Sequence, residues 1–128
     1  MKTIMIVLLL VPSLSVLAFD HPAEEIAAKF NVARKDLARS IERMNMAIAL
    51  IDEPVKKKAT EKAFSEAQKK WDDFVSAEIN LYLTGNPLPD TATSTALSGY
   101  RIEIKAIESR VKDLDNTASW LEANYKKK

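Results

Sequence analysis

The sequence predicts an all-α fold, an antiparallel bundle of three long helices that follows a cleavable leader. Apolar residues recur at alternating spacings of three and four over long stretches, as one face of an α-helix requires. No useful length alternates apolar and polar residues with the period of a strand, and the 128-residue chain holds two glycines.

Residues 1–18 have the layout of an export signal. Lys2 supplies a positive start, an apolar run begins at Ile4, and Val16-Leu17-Ala18 offers the small-residue pattern cut before Phe19. A retained membrane anchor fits less well, because Pro12, Ser13 and Ser15 interrupt the run and leave it short of the ~20 apolar residues a spanning helix needs. Cleavage leaves residues 19–128, and 128 less 18 is 110 residues, enough for one domain with a modest core.

The first helix is predicted over about 22 to 52. Asp20 or His21 caps it, Pro22 sits in the first turn where its missing N–H costs nothing, and Glu24 and Glu25 favour the positive end of the dipole. Ile26, Phe30, Ala33, Leu37, Ile41, Met44, Ile48 and Ile51 form its stripe, and Glu53-Pro54 ends it. Met46 falls off that stripe.

The second helix starts near Val55 or Lys56 and runs to Thr84, with Phe64, Ala67, Trp71, Phe74, Val75, Glu78 and Tyr82 on one broad side that Ile79 and Leu81 widen. Gly85 stops it, and Asn86-Pro87-Leu88-Pro89-Asp90 opens a loop that extends through Ser94. Thr93 or Ser94 then caps a third segment whose stripe is Leu97, Tyr100, Ile104, Ile107, Val111, Leu114, Ala118, Leu121 and Tyr125. The polar run Asp115-Asn116-Thr117 leaves open a bend there, or a restart as a short fourth helix.

Charge and composition narrow the function. Only Lys2 is lost with the leader, so 18 basic residues balance 18 acidic ones, a poor match to nucleic acid. The runs Lys56 to Lys58 and Lys126 to Lys128 are expected to be solvated helix ends, with contact to an anionic membrane or polymer as the alternative. Membrane contact is otherwise not expected once the leader is gone. The chain has no cysteine, which excludes disulfides, thiolate metal sites and a lipid-anchored amino terminus, and mildly favours a bacterial envelope over an animal extracellular space. The expected location is secreted or periplasmic, and the protein is not a lipoprotein.

Motifs for chemistry are missing. The one histidine, His21, sits at the frayed start of the mature chain, and no catalytic triad is visible. Asp72 and Asp73 are neighbours on a helix and point apart, unlike a facing acid and base, so they are expected on the solvated side. No haem-attachment run or Glu-x-x-His pair is present. The expectation is a non-enzymatic protein without a cofactor or metal. Glu78 stands among apolar neighbours and is expected to pair with Arg43 or Arg110. Trp71 is expected in the core, whereas Trp120 reads equally as a core-edge residue or an exposed anchor.

The run Gln68-Lys69-Lys70-Trp71-Asp72-Asp73-Phe74, preceded by Met44-Asn45 and followed by Arg110-Val111-Lys112-Asp113-Leu114, resembles the lysozyme inhibitor LprI family over most of the mature chain. Asn45, Gln68, Trp71, Arg110 and Leu114 match by residue and Phe74 by type; their role in the resemblance is structural. Ile48 stands where the family has an aromatic residue and Val75 where it has arginine. The family's cysteines are absent, and Ile79 and Ile102 occupy two of their positions. The resemblance implies a helical envelope domain, inhibition of a lysozyme as the sharpest activity, and a facing apolar pair at Ile79 and Ile102. An alternative from the third helix's heptad spacing is a chaperone-like or assembly protein that acts through amphipathic helices.

Overall fold

Burial on the first helix follows the predicted stripe and fills it in: Ala23, Ile26, Phe30, Ala33, Leu37, Ser40, Met44 and Ala47 are all turned inward. The computed structural model describes residues 21–85 and 92–126. Within them lie α1 (His21–Ile48), α2 (Pro54–Gly85) and α3 (Ala92–Tyr125), and no strand. The expected leader and its cleavage site, most of the loop after Gly85, and Lys127 and Lys128 lie outside the described residues.

α1 ends at Ile48, short of the expected Asp52. The amides of Leu50 and Ile51 reach back only three residues, to the carbonyls of Ala47 and Ile48, which tightens the last turn and stops the α pattern. Ile51 is buried all the same. Glu53, read from sequence as the end of α1, instead starts α2. Its carboxylate accepts from the amides of Val55 at 3.0 Å and Lys56 at 3.1 Å, and its carbonyl accepts from Lys57 at 2.9 Å. Pro54 in the first helical position then loses no bond, and the carboxylate complements the dipole.

α3 begins at Ala92, so Ala92, Thr93 and Ser94 are helical and not the loop and cap expected of them. It also runs through Asp115-Asn116-Thr117 without a fourth helix. Two of the three polar side chains there have a partner: Thr117 Oγ1 donates to the Asp113 carbonyl at 3.0 Å, and Asp115 accepts from Ser40 Oγ at 2.8 Å. A local back-bond within α3 and one tertiary bond to α1 offset a weak local propensity.

The three helices do not contribute equally. α1 and α3 lie closest along their length, α2 approaches α3 less and α1 least. The rings of Phe30 and Tyr100 meet at 4.8 Å between centroids, and farther along both helices Arg43 meets Glu122, so α1 and α3 run parallel. α2 is the return limb, antiparallel to both. One core of Phe30, Leu37, Met44, Ile48, Tyr100, Ile107, Leu114, Ala118 and Leu121 joins α1 to α3, and α2 rests Phe64 and Trp71 against it. On α2 itself only Val75 and Ile79 are buried.

Candidate functional site

At the end of the bundle where α1 passes into α2, the return limb stands off from α3 and leaves an open groove of about 510 Å³. Thr60, Ala63 and Ala67 supply one wall, and their small side chains cannot fill the space opposite Leu114, Trp120, Leu121 and Tyr125. Met44, Ile51 and Phe64 extend the apolar lining. Trp120 is 61% exposed here, so of its two sequence readings it is the exposed one.

The opposite side of α3 is fastened to α1 by polar bonds. Arg43 donates from Nη2 at 2.7 Å and from Nε at 3.2 Å to the two carboxylate oxygens of Glu122, and Nη2 also donates to Ser119 Oγ at 2.9 Å. The bond from Arg43 holds the Glu122 carboxyl below the usual carboxylate range and raises the guanidinium in turn. Arg43 therefore serves Glu122 and Asp115 rather than Glu78, which is exposed. The expected Glu78 pairing fails with Arg110 as well, since Arg110 bonds Gln68.

A buried carboxyl lies within the bundle. Glu103 on α3 is 0% exposed, and neither of its carboxylate oxygens has a hydrogen-bond partner. Burial pushes its pKa up to about 7; Asp72 on α2 adds to the rise and Arg34 on α1 opposes it. Tyr100, one turn away, is pushed up to about 12, by burial first and then by Glu103. Asp72 is half-buried beside this group and not on the solvated side expected for it. Glu103 lies three residues after Tyr100 and four before Ile107, so the apolar stripe passes through it. That spacing was the available signal.

The resemblance residues are partly assembled. Gln68 and Arg110 meet across α2 and α3, with Arg110 Nε donating to Gln68 Oε1 at 2.8 Å and Nη2 donating to the same oxygen. Leu114 is buried in the core and Trp71 packs against it. Asn45 is exposed, and so is Phe74 at 58%, although the sequence placed Phe74 on the inward side of α2. Ile79 is buried and Ile102 half-buried.

No known family, curated protein or solved structure matches the chain.

The site must therefore be read from its own chemistry. No group of His, Cys, Asp or Glu among the described residues is arranged to hold a metal ion, and no described helix is long and apolar enough to cross a membrane. Large apolar side chains are exposed on the far half of α2. Phe74 and Leu81, seven positions apart, fall on one stripe, with Tyr82 and Leu83 beside them. Asp73 and Glu78 stand among them, and both are exposed.

Proposed function

We propose that the chain is an exported, non-enzymatic helical binding protein whose partner is another protein, held on the outward side of α2. The exposed pair Phe74 and Leu81 carries the reading, because large side chains left in water along one stripe mark a contact surface. Asp73 and Glu78 give that surface an acidic edge suited to a basic partner. Lysozymes are such partners, and the resemblance in Gln68, Trp71, Arg110 and Leu114 supports inhibition of one as the specific activity. Assays of lysozymes from several classes, on the order of tens of micromolar inhibitor, test it together with calorimetry. Inhibition that Phe74→Glu and Leu81→Glu abolish is expected. The absence of both inhibition and heat would remove the lysozyme reading.

A client-holding or assembly protein is the second reading, and it too would use α2. The heptad stripe of α3 that suggested it is covered within the chain, since Ile107, Leu114, Ala118 and Leu121 are buried. Sedimentation separates the two, because assembly requires self-association or client capture and inhibition requires neither.

A further inference from the structure

The groove beside Trp120 has a wall of uneven chemistry. Its thirteen lining residues include two cations, Lys56 and Arg110, and no carboxylate. The other hollows described on this surface all contain glutamate: Glu25 and Glu108 in two of them and Glu61 in a third. A volume of about 510 Å³ lies within the range that accepts small organic ligands.

The cations are not neutralised by acids in that wall. Arg110 is held by the neutral carboxamide of Gln68, which fixes its direction and leaves its charge intact. Burial lowers its pKa, and the carboxylates of Asp113 and Asp72, which lie outside the groove wall, oppose that fall. Two nearby acids are already engaged: the Glu53 carboxylate accepts from the first amides of α2, and that of Glu122 from Arg43. Asp52 stands in the same connection, exposed and outside the groove wall.

The topology adds to this. Because α3 runs parallel to α1, its last turn arrives where α2 begins, so Tyr125 and Lys56 line the same groove. Lys57 and Lys58 follow Lys56 on α2, and Lys126 follows Tyr125. The run Lys56 to Lys58 and Lys126, far apart in sequence, thus reach one end of the bundle. From Lys56 to Ala67 the trough extends about 16 Å along α2 at 1.5 Å per residue, the proportions of a slot and not of a sphere.

We propose that this groove binds a single-chain anionic amphiphile of the fatty-acid class. The carboxylate lies against Lys56 at the basic end, and the hydrocarbon chain runs inward between Phe64 and Leu121 beneath Trp120. An apolar slot removes the tail from water, and the positive charges in its wall select an acid over a neutral or cationic amphiphile. The site is at the opposite end of α2 from Phe74 and Leu81, and it stands or falls independently of the protein-binding reading.

Dodecanoate below its micelle concentration is the probe, titrated into the full mature chain by calorimetry and by tryptophan emission. Saturable one-to-one binding is expected, with a blue shift that Trp120→Phe removes. Lys56→Glu should weaken it roughly tenfold, since one exposed attraction is lost and one repulsion gained. Ala67→Phe should abolish it by filling the slot, with Ala63→Phe as a second filling variant should the first misfold. Dodecyl maltoside, which has the same tail without the charge, should bind at least roughly tenfold more weakly. No saturable binding, equal affinity for the neutral amphiphile, or affinity unchanged in folded Lys56→Glu and filling variants would overturn the proposal. Binding only to phosphatidylglycerol vesicles would overturn it too, and would make this end a membrane-contact surface.

Discussion

Arg110 on α3 and Gln68 on α2 are joined by two hydrogen bonds to one carboxamide oxygen, at the interface where the return limb otherwise packs thinly. A bond from a charged donor is worth about 1.5 to 3 kcal/mol. Gln68→Ala should therefore lower the unfolding free energy by roughly that amount, measured by chemical denaturation. Hydrogen exchange should show where the loss falls: amides of α2 exchange faster in the variant, while those of α1 and α3 at Phe30 and Tyr100 change little. A uniform change across the three helices would show that α2 is not a separable limb.

Two phenylalanines should respond in opposite ways to truncation. Phe30 is 0% exposed, faces the Tyr100 ring, and lies in the core that joins α1 to α3. Phe30→Ala should cost about 3 to 5 kcal/mol. Phe74 faces solvent, and Phe74→Ala should change stability by about 0.5 kcal/mol or less. Thermal melts of the two variants check this. A large loss at Phe74 would place its ring in the fold and remove it from any partner surface.

The number of helices, their class and the inward stripes of α1 and α3 were legible because each stripe is repeated many times and no single residue decides it. Ends were less legible. Glu53 looked like a terminator because proline follows it, yet its side chain and carbonyl both bond forward into α2. α2 was the helix least readable by face: its apolar residues spread around much of the circumference, so Phe74 and Leu81 could not be told from Val75 and Ile79. The groove was not legible at all, since it depends on how far α2 stands from α3. Glu103 was legible by spacing, but a glutamate on an apolar stripe is more often turned aside or paired.

Ile79 and Ile102 make a sharper comparison than their sequence positions suggest. The Gln68–Arg110 and Tyr82–Ser98 bonds set the antiparallel register, which puts residue 79 level with roughly residues 99 to 101 of α3 at 1.5 Å per residue. Ile102 is thus about one to three residues from the same height, and it is only half-buried while Ile79 is buried. Ile79→Ala should cost about 2 to 4 kcal/mol and Ile102→Ala less than about half of that. Equal losses in chemical denaturation would mean that the two form one closed contact, as the resemblance implies. An unchanged Ile79 variant would count against that pairing.

Stability should fall as pH rises toward neutrality, because of Glu103. Its folded pKa of about 7 stands above the ordinary 4.5, so the folded protein holds this proton more tightly than the unfolded chain. The contribution is complete below about 4.5, is lost progressively as pH rises to about 7, and stays lost above that. A rise from 4.5 to about 7 corresponds to roughly 3 kcal/mol. The charges around it fit that sign, since Asp72 on α2 and the Tyr100 ring beside it offer no positive charge, and Arg34 on α1 offsets burial only in part. Glu122 acts outside this window: its pKa is lowered, so its contribution is lost only as pH falls below the usual carboxylate range. Urea denaturation between pH 5 and 8 should show the decline in the natural chain and a nearly flat profile in Glu103→Gln, with the variant the more stable of the two at pH 8. A decline that persists unchanged in Glu103→Gln would assign it to another group.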